Sequence, residues 1–255
     1  MASGTNDERR VAFVTGGSRG VGLGTALGLG RQGIEVVIGG RDIAQGDNAL
    51  KRLREAGIIA RFVEFDVCEP DDHMHLCRLL DEGYGKLDIL VNNAGLMLEG
   101  PRTELDLPNT TLDVSTWTLK RTFDVNFFGV VGLTQTLLPL LRKAPAGRIV
   151  NVTSILASLN IYATSDDPRL PNHRQLAYNT SKTALNAFTI HLARTLEDTD
   201  IKVNAAHPGW VRTNMGGEDA ELSIEEGAAT SVMLATLPSD GPTGVFRHAD
   251  QMIPW

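Results

Sequence analysis

Short apolar runs alternate with longer amphipathic stretches along most of the chain. The runs Arg10 to Thr15, Ile34 to Ile38, Ile59 to Phe65, Leu87 to Val91, Arg148 to Val152 and Ile201 to Ala206 read as buried strands, with Gly244 to Arg247 as a short last one. Between them the apolar positions recur at helical spacing. The pattern predicts helices from Gly22 to Gln32, from an Asp42 cap to Ala56, from Pro70 to about Glu82, and from a Ser115 cap to about Arg142. Two more follow, one around Tyr178 to about Thr195 and one from Ser223 to about Leu237. Leu96 to Asn109 and Leu159 to Gln175 read as loops, the second as an insertion, and Trp210 to Leu222 is Gly-rich and polar. Strands separated by helices predict βαβ units with right-handed crossovers. The fold class is therefore α/β, a doubly wound parallel sheet (Rossmann fold) in a single domain over 10–255, preceded by a mobile N-terminal lead-in, 1–9.

Composition narrows the classes of function. Of 255 residues, 42% are hydrophobic and 22% charged, an ordinary balance for a chain with a sizeable core. The net charge of −7 argues against sequence-independent nucleic-acid binding, which needs a basic face. No apolar run reads as long enough to span a bilayer, and the polar start lacks the apolar core of a signal peptide. The only two cysteines, Cys68 and Cys77, form neither a Cys-x-x-Cys pair nor a disulfide framework, which points to a reducing cytoplasm.

Chemistry-bearing residues cluster just after the predicted strands: Gly16, Arg41, Asp66, Asn92, Ser154 and Pro208. In a doubly wound sheet those strand ends share one edge, where ligands bind. Gly16-x-x-x-Gly20-x-Gly22 follows a strand and opens a helix, so backbone N–H groups can approach a pyrophosphate there. The end of the second strand selects the cofactor. A carboxylate there would accept from a ribose 2′-hydroxyl, as in NAD proteins. Here Gly40 and Arg41 occupy it, and Arg19 adds a second cation, so the sequence favours NADP(H) over NAD(H). Asp42 is assigned to capping. Tyr178 and Lys182, four apart in a predicted helix, share one face, where an ammonium would pull a phenol's pKa toward the working range. His73 and His75 have no third ligand nearby, so no metal site is expected, and His207 reads as a packed histidine.

Thr15-Gly16-x-x-x-Gly20-x-Gly22, Asn92-Asn93-Ala94-Gly95, Asn126, Ser154, Tyr178-x-x-x-Lys182 and Pro208-Gly209, in that order, resemble the short-chain dehydrogenase/reductase family in its compact, carbonyl-reductase-like branch. The resemblance covers about Val11 to the C-terminus. It implies a catalytic set of Asn126, Ser154, Tyr178 and Lys182. Tyr178 would be the general acid–base, Lys182 would lower its pKa and hold the nicotinamide ribose, and Ser154 would bond the substrate oxygen. Asn126 would support a water linking Lys182 to solvent. It also implies cofactor contacts from Gly16, Ser18, Arg19, Gly20, Val21, Gly22 and Arg41, from Asp66 and Val67 at the adenine, and from Asn92, Ala94 and Gly95 at the ribose. Pro208, Gly209, Val211 and Thr213 would contact the nicotinamide end, and Thr213 to Gly217 would begin a substrate lid.

The expected activity is hydride transfer between NADP(H) and a small carbonyl or alcohol substrate. Two alternatives stand beside it: an NAD-dependent alcohol dehydrogenase of the same fold, and a catalytically silent dinucleotide sensor or scaffold. The insertion at 161–175 lengthens the Ser154-to-Tyr178 spacing and leaves homodimer, homotetramer and monomer open. Leu96, Met97, Leu156, Trp210 and Met215 are candidates for an apolar substrate pocket; the substrate itself cannot be read from loop residues.

Overall fold

A computed structural model describes residues 9–99, 110–165 and 174–255. Residues 1–8 of the lead-in and parts of both predicted loops, 100–109 and 166–173, lie outside the described residues. The strands are β1 (Val11–Thr15), β2 (Glu35–Gly40), β3 (Ala60–Glu64), β4 (Ile89–Asn92), β5 (Arg148–Val152), β6 (Lys202–Ala206), β7 (Phe246–His248) and β8 (Gln251–Met252). They form one sheet in the order β3-β2-β1-β4-β5-β6-β7-β8, parallel throughout except for the β7–β8 pair. The helices are α1 (Gly20–Gly30), α2 (Ile43–Glu55), α3 (Pro70–Tyr84), α4 (Thr116–Phe123), α5 (Gly129–Leu141), α6 (Leu159–Thr164), α7 (Leu176–Thr195) and α8 (Ile224–Ala235).

Alternation along each strand divides the core between the two faces of the sheet. Phe13, Val37, Leu90, Ile149 and Val203 face α3 and α5, through Leu76, Leu80, Leu133 and Leu137. Val14, Ile38, Val91 and Val150 face the opposite layer, through Leu23 and Leu29 of α1, Leu53 of α2 and Leu234 of α8. The glycines of α1, costly in a helix interior, have a packing reason. A Cβ on Gly28 would stand 2.6 Å from Val232 Cγ2, and one on Gly30 2.3 Å from Ile58 Cγ2. The helix lies too close to its neighbours for a methyl group.

At the opposite end of the strands the Arg148 side chain is buried among backbone carbonyls. Its guanidinium donates to the carbonyls of Leu237 (3.0 and 2.8 Å), Pro238 (3.0 Å), Gly147 (2.8 Å) and Asp200 (3.1 Å). Three connecting segments thus meet on one side chain. Arg148→Met strands those carbonyls in a buried site and is expected to cost about 3 kcal/mol, read as a lower urea midpoint at unchanged m-value.

Three elements differ from the sequence reading. The helix predicted from Ser115 to Arg142 starts on the Ser115 cap, whose side chain accepts from Thr118 N, but it widens into a π-helical turn at Asp124–Phe128. The stretch Thr116–Leu141 has 26 residues, and an 18-residue window within it has a mean hydropathy of 1.3, so by length and composition it is long and apolar enough to cross a membrane, contrary to the sequence expectation. Half of its apolar window is buried within this fold, against α3 and α7. The insertion is not loop throughout: Ser158 caps α6 by accepting from Ile161 N, and Ile161 packs beside Ala205, Phe246 and Ile253. β8 escaped notice because two exposed residues carry no apolar pattern.

Candidate active site

The strand order reverses between β1 and β4, and the segments leaving those two strands form the floor of a cleft of about 770 Å³. Thr15 joins them: its Oγ1 accepts from Asn93 N and Ala94 N, both at 2.9 Å. Asn93 in turn donates to the carbonyls of Thr15 (2.8 Å) and Gly16 (3.3 Å). Gly22 closes the turn at the start of α1. A Cβ there would fall 2.3 Å from Gly16 O and 2.4 Å from Asn93 Nδ2, so only glycine permits this approach.

Gly16, Ser18, Arg19, Gly20, Val21, Gly22, Arg41, Asp66, Val67, Ala94, Gly95, Tyr178, Lys182, Pro208 and Thr213 all line this cleft. Residues far apart in sequence thereby share one cavity. Five named residues are not in its wall. Asn92 is buried and points into the interior, donating to Asn151 Oδ1 (2.8 Å) and Thr134 Oγ1 (3.1 Å); its neighbour Asn93 takes the place at the wall. Val211 is buried against the space left by Gly227, and Gly209 sits beside Leu222 and His248. Asn126 and Ser154 stand just behind the wall. Of the apolar candidates, Leu96 and Met215 line the cleft, joined by Leu98; Met97, Leu156 and Trp210 do not.

The end of β2 carries charge as its sequence indicated. Asp42 caps α2, accepting from Gln45 N at 3.0 Å, and leaves Arg41 free to face the cleft. Arg41 lies 3.7 Å from Asp66 and its side chain is 64% exposed, so that pair is weak and competes little with an incoming anion. Glycines at the N-terminus of α1 with Arg19 and Arg41 alongside fit a pyrophosphate and a further phosphate.

At the other end of the cleft Tyr178 and Lys182 are buried side by side, with Lys182 Nζ 6.0 Å from the phenol ring centre. Nζ donates to Val152 O at 2.8 Å. Asn126, in the π-helical turn, accepts from Leu96 N (2.7 Å) and donates to Leu96 O (2.8 Å) and Ser181 Oγ (3.0 Å). Ser154 ends β5 and accepts from Leu156 N at 3.2 Å. The electrostatics correct the sequence reading. Burial pushes the Tyr178 phenol up to about 12, opposed only by a hydrogen bond with Ser154, and Lys182 does not pull it down. Burial also brings Lys182 down to about 8. The reason is physical: both groups share one desolvated pocket, and each loses hydration in its charged form.

His207 behaves as a packed side chain. Burial, then the neighbouring His248, pushes it down to about 3, and its neutral Nδ1 accepts from Ile155 N (3.3 Å) and Gly209 N (3.4 Å). It joins the loop after Ser154 to the loop after β6. Sequence reasoning also missed Trp117, Arg121 and Val125, which line the cleft from α4 and the π-helical turn. Their spacing of four was the available signal for one face turned toward a common surface.

The fold and this cleft define a Rossmann-type protein with a nucleotide-binding turn and a Tyr–Lys pair along one sheet edge. A family profile described as short chain dehydrogenase matches residues 10–222. The chain belongs to the short-chain dehydrogenase family. A carbonyl reductase [NADPH] 1 of Sus scrofa is 33% identical over 285 aligned positions, covering 96% of this chain and 94% of its own. The structure of salutaridine reductase from Papaver somniferum superposes with a TM-score of 0.78 at 28% identity, covering 93% of this chain and 99% of that one. An NADPH-bound carbonyl reductase from chicken fatty liver gives 0.82 at 24% identity, over 97% and 99%, a likeness of fold.

Proposed function

We propose that this protein is an NADPH-dependent carbonyl reductase. NADPH, when bound, supplies the hydride. The chain's own residues bind, orient and protonate. The glycine turn and the N-terminus of α1 hold the pyrophosphate through backbone N–H groups, and Arg19 and Arg41 take the 2′-phosphate. Lys182 reaches the nicotinamide ribose. Ser154 donates to the substrate oxygen, and Tyr178 gives its proton to that oxygen as the carbonyl becomes an alcohol. The observation that carries this reading is the burial of Tyr178 and Lys182 in the same cleft as the glycine turn.

Burial keeps the Tyr178 phenol protonated at working pH, so it has a proton to give. Cys68 and Cys77 are free thiols, in keeping with work in a reducing compartment such as the cytoplasm.

The test is NADPH consumption followed by absorbance with a panel of aldehydes, ketones and quinones. Turnover with NADPH over NADH supports the reading; preference for NADH, or binding of NADPH with no turnover of any carbonyl, overturns it. Arg41→Asp replaces a phosphate grip by a repelling carboxylate. It is expected to lower kcat/KM for NADPH by about 100-fold while NADH changes little, since a charge-assisted bond is worth about 1.5–3 kcal/mol.

A further inference from the structure

The first turn of α7, which carries Tyr178, has no cap of its own. Gln175, at the capping position, has a left-handed backbone (φ 66°) and makes no side-chain capping bond. Two consecutive amides at that helix start are instead held from outside. Glu99, buried to 1% exposure, accepts from Ala177 N through Oε1 (3.1 Å) and from Tyr178 N through Oε2 (2.9 Å). A carboxylate at that point also meets the positive end of a 20-residue helix, which helps offset its desolvation.

Glu99 belongs to the segment that follows β4. Leu96 and Leu98 of that segment form cleft wall, and Leu96 is bonded through both its N–H and its carbonyl to Asn126. Four consecutive residues therefore connect Asn126 at one end to the backbone of Tyr178 at the other. No short-range sequence pattern encodes this contact, which spans 79 positions.

We propose that Glu99 is a positioning residue for the reaction: its carboxylate, clamped on the amides of Ala177 and Tyr178, fixes where the Tyr178 hydroxyl stands relative to the bound carbonyl. The inference rests on Tyr178 being the proton donor. A displacement of about 1 Å at a reacting group can cost on the order of 100-fold in rate. Loss of the clamp therefore acts on the chemical step, while the phosphate end of the cofactor, held by the β1 turn, is not involved.

The test compares Glu99→Gln and Glu99→Ala with the parent in single-turnover reduction at saturating NADPH and carbonyl. Rates are normalised to active sites titrated with NADPH. Glu99→Gln keeps the size of the side chain but offers one acceptor where two donors wait, so it remains informative if Glu99→Ala fails to fold. The expected result is a rate about tenfold or more below the parent, with the NADPH Kd within about twofold. The same substitution is then made in Tyr178→Phe, with residual hydride transfer measured at high enzyme concentration. A positioning role predicts that Glu99→Gln changes that residual rate little, because the group it positions is gone. A parent-like rate in Glu99→Gln, an equal loss in both backgrounds, or a loss matched by weaker NADPH binding overturns the inference. Full activity in Tyr178→Phe removes the proposed function and this inference together. An inactive Tyr178→Phe beside a normal Glu99→Gln removes the inference alone.

Discussion

Tyr178→Phe lowers kcat by about a thousandfold or more while NADPH still binds within about threefold of the parent. The substitution deletes one oxygen from a buried side chain and leaves the ring in place against Lys182 Nζ, 6.0 Å from its centre. Ser154 keeps its bond from Leu156 N, so the end of β5 holds its shape. What disappears is the proton donor. General-acid catalysis by a positioned side chain contributes typically 10² to 10⁴ in rate. His207 cannot substitute, because it is neutral down to about pH 3 and its Nδ1 is already committed to two backbone amides. Stopped-flow reduction gives the rate, and quenching of protein fluorescence by NADPH gives the affinity. More than a tenth of the parent kcat in the variant refutes the role assigned to Tyr178.

Gly22→Ala acts at the opposite end of the cleft and with the opposite signature. Its Cβ would arrive 2.3 Å from Gly16 O and 2.4 Å from Asn93 Nδ2, both inside any tolerable contact. Neither neighbour can yield freely. Gly16 is backbone at φ +62°, and the Asn93 amide already bonds the Thr15 carbonyl at 2.8 Å. The turn must open, and with it the row of N–H groups that would face the pyrophosphate. The expected outcome is an NADPH Kd about 100-fold or more weaker, with a smaller change in kcat wherever saturation can still be reached. Gly83→Ala is the matched control. That glycine lies inside α3 with nothing within 4 Å of an added Cβ, so alanine there stabilises the helix by about 0.5–1 kcal/mol and leaves cofactor affinity alone. Equal NADPH affinity in Gly22→Ala and parent shows that the turn does not carry the pyrophosphate.

Much of this molecule was legible in its residue order because the signals are local. A strand end followed by Gly16, Gly20 and Gly22 needs only its own backbone to declare a turn. Asp42 three residues before Gln45, and Ser223 three before Glu226, declare helix starts by the same short reach. Unbroken apolar runs at β1 and β2, buried on both faces, and four-residue spacing in α7 gave the layers, hence the sheet and the edge that both Tyr178 and Arg41 line.

The parts that stayed hidden depend on groups brought together from distant positions. The π-helical turn that aims Asn126 costs one extra residue in a helix and leaves no composition signature. Asn92 and Asn93 are adjacent and identical in type; only packing sends the first to Asn151 in the interior and the second to the glycine turn. The Tyr178–Lys182 spacing gave their shared face, but not their ionisation, because burial depends on the whole surrounding wall. The chain sequence thus determined the fold and the residues available to a reaction at one sheet edge. Tertiary structure decided which of them touch, how dry they are and what holds them still, since distances across 79 positions and loss of water are properties of the assembled cleft rather than of any stretch of sequence.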